Sequence, residues 1–84
     1  MDLDDLIKRQ DATFKRITSL PSRYKPDLMR LDTNAYDIRA EISKEAIRCR
    51  RTGRPSIRYN ELMVQLTEVI ELMEEYLTFA SLLS

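Results

Sequence analysis

Five arginines, Arg48, Arg50, Arg51, Arg54 and Arg58, fall within the eleven residues RCRRTGRPSIR, together with the only glycine of the chain, Gly53. Guanidinium forks match the geometry of phosphate and carboxylate groups, so such a cluster on a tight turn makes a compact anion-binding tip. Three of the five have a simpler role. Arg48, Arg50 and Arg51 stand in the last turn of an expected helix, where the backbone dipole favours a cation by ~0.3–1 kcal/mol each. The same dipole disfavours Arg54 and Arg58, which stand at or before the first turn of the next helix. Glu61 is the only acid within helical reach of Arg58, and a surface pair of that kind contributes only ~0.2–0.5 kcal/mol. Local helix electrostatics therefore leaves part of the cluster unexplained. The tip is a candidate site for a nucleic-acid backbone, a phosphorylated ligand or an acidic protein surface.

The other reactive residue types argue against catalysis. Glu68, Glu71 and Glu75 share a helical face, with Glu61 two turns back. Paired E-x-x-E and E-x-x-D helices hold Mg²⁺ or Mn²⁺ in all-helical nucleotide pyrophosphohydrolases. Here EVIE has no downstream E-x-x-D, and EISKE has the wrong spacing, so the glutamates read as a solvated face. Cys49 lies between two arginines, which lower a thiol pKa when it is exposed. It also falls on an apolar stripe, and a chain without histidine has no imidazole base to activate it. Chorismate-mutase-like folds need a long first helix and basic groups converging inside the core. Pro21 and Pro26 interrupt the chain too early for that, and the basic groups gather at a tip. The expectation is a non-enzymatic protein with no metal and no cofactor.

The formal net charge is zero, but it is segregated along the 84 residues. Residues 1–20 and 21–43 each balance four basic against four acidic side chains. Residues 44–58 carry six basic groups against Glu45 alone, and residues 59–84 carry five glutamates and no basic residue. Segregation of this kind orients a partner. The length allows one domain, 1–84, which buries only ~60–65% of its unfolded surface. A single cysteine excludes an internal disulfide, so regular packing or oligomerisation must supply the stability. The acidic start lacks the basic region of a signal peptide, and YLTFASLL is far short of the ~20 apolar residues of a membrane span. A reducing cytoplasmic setting is expected, with no membrane contact.

Those groups must be positioned by helices, because no stretch alternates with period two. Leu3, Ile7, Phe14 and Ile17, with Gln10 between them, predict a first helix over 3–18. Leu28, Leu31, Ala35, Ile38, Ile42, Ala46 and Cys49 predict a second over 27–51, although the poor helix formers Asp32, Thr33 and Asn34 allow a start at Asn34. Gly53 suits the left-handed residue that ends it. Tyr59, Leu62, Leu66, Val69, Met73, Tyr76, Ala80 and Leu83 predict a third helix starting at Pro55 or Ser56 and reaching Leu83, with Met63, Ile70, Leu72, Leu77, Phe79 and Leu82 beside that seam. A stripe so wide needs two neighbours. At ~1.5 Å per residue the three helices measure roughly 24, 38 and 42 Å.

The expected fold is all-α: a short N-terminal helix packed on a long antiparallel helical hairpin, a coiled-coil-like three-helix bundle that is oligomeric. Helix one is too short to cover the whole hairpin, so part of helix three near YLTFASLL is expected to meet another chain. The candidate protein interface is Leu72, Tyr76, Leu77, Phe79, Leu82 and Leu83. The leading functional reading is an interaction or assembly module acting through that apolar face, with a second copy or a partner protein. The alternative is nucleic-acid or phosphate binding through residues 48–58.

Overall fold

Asp2 begins the first helix by accepting the backbone N–H of Asp5 at 2.9 Å. The computed structural model describes residues 2–54 and 56–83, and in it α1 spans Leu3–Ile17. Asp4 and Asp5 occupy its first turn and Lys15 and Arg16 its last, each on the end its charge favours. Ser19 and Leu20 close the end with N–H bonds back to Arg16 and Ile17 at 3.1 Å, and Pro21 follows. A single 3-10 turn, Ser22–Tyr24, leads into α2, Lys25–Thr52. Gly53 ends α2 with φ 66°, its N–H bonded to the Cys49 carbonyl at 2.8 Å. A left-handed residue there favours glycine. α3 spans Ile57–Leu83. Pro55, one of the two expected starts of this helix, lies outside the described residues.

Among the described residues there are three α-helices and no strand, and the helices pack on one another. Asp27, near the start of α2, meets Tyr76 of α3, while Glu45, near the end of α2, meets Ser56 just before α3. The two long helices therefore run in opposite directions, in a molecule 50 × 19 × 16 Å. None of the described helices is long and apolar enough to cross a membrane.

The core joins Leu6 and Ile17 of α1, Leu28, Ala35, Ile38 and Ile42 of α2, and Leu62, Leu66, Val69, Ile70, Met73 and Leu77 of α3. α3 does use two neighbours, as the width of its stripe requires. Arg9 of α1 forms an ion pair with Glu74, and Ile70 and Leu77 lie four and three residues to either side of it on the same face. That face is covered by α1. The face with Leu62, Val69 and Met73 belongs mainly to α2.

Two sequence expectations about burial change. α1 buries Leu6, Gln10, Thr13 and Ile17 and leaves Phe14 exposed and Ile7 half-buried, a rotation of roughly 60° from the expected stripe at ~100° per residue. Gln10 and Ile17 lie inward on either stripe; the change replaces Ile7 and Phe14 by Leu6 and Thr13, on the side where Arg9 pairs with Glu74. The buried Gln10 amide donates to the Asp32 carboxylate at 3.1 Å and accepts from Arg39 Nη1 at 3.1 Å. Thr13 Oγ1 donates to the Arg9 carbonyl at 2.7 Å. Asp32 is thus a buried acid with a donor, and α2 runs unbroken through Asp32, Thr33 and Asn34. No buried side-chain nitrogen or oxygen of the described residues lacks a partner.

The second change concerns the uncovered end. α1 lies over the half of the α2–α3 pair that holds Asp32 and Glu74, remote from the turn between them. Nothing in α2 beyond Ile42, and nothing in α3 before Leu62, is fully buried. The turn end projects as two helices alone. Leu77 and Ala80, within the segment expected to stay open, are instead fully buried.

Gln10→Ala would strand the buried Asp32 carboxylate without its amide donor. Denaturant melts should show a loss of about 1–3 kcal/mol, whereas Leu72→Ala, on the exposed side of α3, should change stability by less than about 0.5 kcal/mol.

Candidate functional site

The sequence-predicted residues fall on two surfaces, the basic turn and the outward side of α3. At the turn, all five arginines are exposed, but they do not converge on one point. Arg48, Arg54 and Arg58 line an open depression of about 410 Å³ with Glu45 and Cys49, whereas Arg50 and Arg51 do not line it. Glu45, the only acid in this segment, is drawn inward. Its carboxylate accepts the Ser56 hydroxyl at 2.9 Å, and Ser56 Oγ in turn accepts the N–H of Tyr59 at 3.1 Å. The start of α3 is thereby capped by serine and backed by a carboxylate, the charge that a helix N-terminus prefers.

Glu45 also pairs with Arg48 at 3.7 Å, and Glu61 pairs with Arg58 at 3.8 Å. Arg50, Arg51 and Arg54 have no ion-pair partner among the described residues. The depression therefore contains its own anion, and the unneutralised charge sits on its rim and on the last turn of α2. Cys49 is half-buried beneath it. Among the described residues no three histidine, cysteine, aspartate or glutamate side chains come together as metal ligands.

The outward side of α3 follows from where α1 and α2 sit. Reading along it gives Ile57, Glu61, Val64, Glu68, Leu72, Glu75, Phe79 and Leu82, at spacings that return to one helical face. Apolar and acidic residues alternate from Ile57 to Phe79. Leu72, Phe79, Leu82 and Leu83 are 52%, 59%, 81% and 56% exposed, and Ile57 and Val64 are exposed as well. Glu68 and Glu75 have no ion-pair partner among the described residues, while Glu74 is held by Arg9. That bond, with smaller contributions from the charges of Glu74 and Glu71, raises the guanidinium pKa of Arg9.

The six expected interface residues divide accordingly. Leu72, Phe79, Leu82 and Leu83 lie on the outward surface. Leu77 does not: it is fully buried beside the α1 contact. Tyr76 is half-buried, and its hydroxyl donates to Asp27 at 3.2 Å, tying α3 to the start of α2. Ile57 and Val64 were missed by sequence reasoning because they fall outside the main seam. The signal was a second 3,4 series on the opposite side of the same helix.

Scans of protein-family models, curated proteins and solved structures each return no match for this chain.

Partial burial, and then the bond to Asp27, raise the pKa of Tyr76 above its ordinary value. A raised phenol pKa means that the contact stabilises the fold below the ordinary tyrosine range and loses that contribution as pH rises through the raised value. In an alkaline titration followed by phenolate absorbance, one of the four tyrosines should ionise late. Tyr76→Phe should remove that late phase, and Asp27→Asn should bring it earlier.

Proposed function

We propose that this chain is a non-enzymatic protein–protein interaction and assembly module acting through the outward face of α3, in a cytoplasmic setting. The observation that carries the reading is the row Leu72, Phe79, Leu82 and Leu83, each more than half exposed on one helix. Water-facing leucine and phenylalanine in a row, interrupted by acids, mark a surface that gains by being covered. The alternating glutamates limit which partner covers it, since a buried carboxylate requires a cation or donor opposite.

The basic turn and the acidic outward face of α3 support oligomeric assembly, because they would orient one chain against another. A second reading, binding of a nucleic-acid or other phosphate backbone at the turn, draws on Arg50, Arg51 and Arg54, which are exposed and without acidic partners among the described residues. The Glu45 carboxylate in the adjoining depression repels a phosphate there, and the overall neutral chain lacks the basic excess usual in nucleic-acid-binding domains.

Light scattering after size exclusion separates the readings. The wild-type chain should elute as an oligomer, and Leu72→Asp with Phe79→Asp should make it monomeric without loss of helical circular dichroism, because both positions lie outside the core. A monomeric wild type that shifts onto a short labelled duplex at low salt, and leaves it at high salt with the steep dependence of counterion release, would replace the assembly reading by the second.

A further inference from the structure

The acidic-apolar face of α3 has a counterpart on this same chain. The outward side of α2 near the turn exposes Tyr36, Ala40, Lys44, Ile47, Arg48 and Arg51, an apolar series flanked by cations where α3 has an apolar series flanked by acids. We infer that the α3 face of one copy docks on this α2 face of a second copy, in a staggered, head-to-tail contact. This inference rests on the assembly reading and names its partner.

Pairing α3 with α3 is the first alternative to weigh. Aligned antiparallel so that Ile57 meets Phe79 and Val64 meets Leu72, the two copies necessarily set Glu61 against Glu75 and Glu68 against its own counterpart. The register that buries the apolar residues stacks the glutamates, and like charges opposed across an interface are strongly unfavourable. No basic residue lies between Tyr59 and the end of the chain to relieve them.

Against α2 the same helix fits in one antiparallel register. Leu83 falls opposite Tyr36, Phe79 opposite Ala40 and Leu72 opposite Ile47. In that register Glu75 faces Lys44, Glu71 faces Arg48 and Glu68 faces Arg51. These six layers are matched together, while Leu82 falls opposite the exposed Asp37 at the margin of the contact. The cations are available, since Lys44 and Arg48 are themselves exposed and held only by i,i+3 contacts, Lys44 to the exposed Glu41 at 3.3 Å and Arg48 to the half-buried Glu45 at 3.7 Å, the first of which contributes little.

The register has a geometric consequence. Within one chain Asp27 is level with Tyr76 and Glu45 with Ser56. Copies packed level with one another would set Glu61 beside Glu41 and Glu75 beside Asp27, acid against acid. The matched register instead displaces the neighbour by about 17 residues, or ~25 Å at ~1.5 Å per residue, half of the 50 Å length of the molecule. The turn end of one copy, left uncovered by α1, then lies beside the C-terminal half of α3 in the next. The two faces differ, so the contact is heterologous, the copies are parallel, and the pair retains one free α2 face and one free α3 face, on different copies, for further neighbours.

Two triple charge reversals test this: Glu68→Lys/Glu71→Lys/Glu75→Lys on α3, and Lys44→Glu/Arg48→Glu/Arg51→Glu on α2. Each variant alone should associate at least roughly tenfold more weakly than the wild type, because like charges then oppose one another. Mixed in equal amounts, the two should recover association, since each reversed face meets a reversed complement, and that recovery shows both are folded. A milder α2 variant with glutamine at the same three positions should weaken association without adding repulsion. If the α3 variant dissociates while both α2 variants assemble like the wild type, the assembly reading stands and the docking on α2 is overturned. A wild type that stays monomeric overturns the second copy as occupant. In a Cys49→Ser background, Ile47→Cys with Leu72→Cys should form disulfides between copies under mild oxidation, and their absence in an assembled sample overturns the register.

Discussion

The buried contact between Gln10 and Asp32 is the polar constraint that ties α1 to α2. A carboxylate that is almost wholly buried requires a donor, and the Gln10 side chain supplies it while accepting from Arg39. That requirement holds Gln10 inward against α2, on the side of α1 that also buries Leu6 and Ile17. It also places α1 over the Asp32 end of α2, and the Arg9–Glu74 pair fixes the same placement from the α3 side. Directional polar contacts of this sort select one arrangement among several that bury comparable apolar area.

The exposed surface follows from that choice. With α1 against Ile70, Glu74 and Leu77, and α2 against Leu62, Val69 and Met73, the remaining side of α3 is the one that alternates apolar residues with glutamates. With α1 confined to the far half, the turn end stands as two helices, and its half-buried residues Cys49, Ser56 and Tyr59 have no third layer above them. A short domain with a single cysteine has no internal disulfide and is stabilised largely by this packing, so anything covering either surface would add to its stability.

Charge is handled differently at the two ends of α3. At its start, Glu45 is pulled from the end of α2 to the Ser56 cap, so an acid backs the positive end of the dipole despite the surrounding arginines. At its other end Glu74 is neutralised by α1, while Glu68 and Glu75 stay unpaired among the described residues. The acidic segment of the sequence thus becomes an outward face of α3, while the basic one spreads over the last turns of α2, the turn and the first turn of α3.

Much of the secondary structure was legible from local rules. The 3.6-residue periodicity of Leu62, Leu66, Val69 and Met73, the proline at 21 and the glycine at 53 act over one or two turns, so residue types alone mark the helices and their ends. The width of the apolar band on α3 also announced two neighbours, because no single helix covers so broad a stripe. Which side of each helix turned inward was not legible. The rotation of α1 accompanied contacts with residues as distant as Glu74 of α3, and the burial of Leu77 depended on where α1 came to rest. Sequence determined the helices and the segregation of their charge through local geometry. Only tertiary structure decided which apolar residues stayed in water, because burial is a property of neighbours brought together by distant contacts.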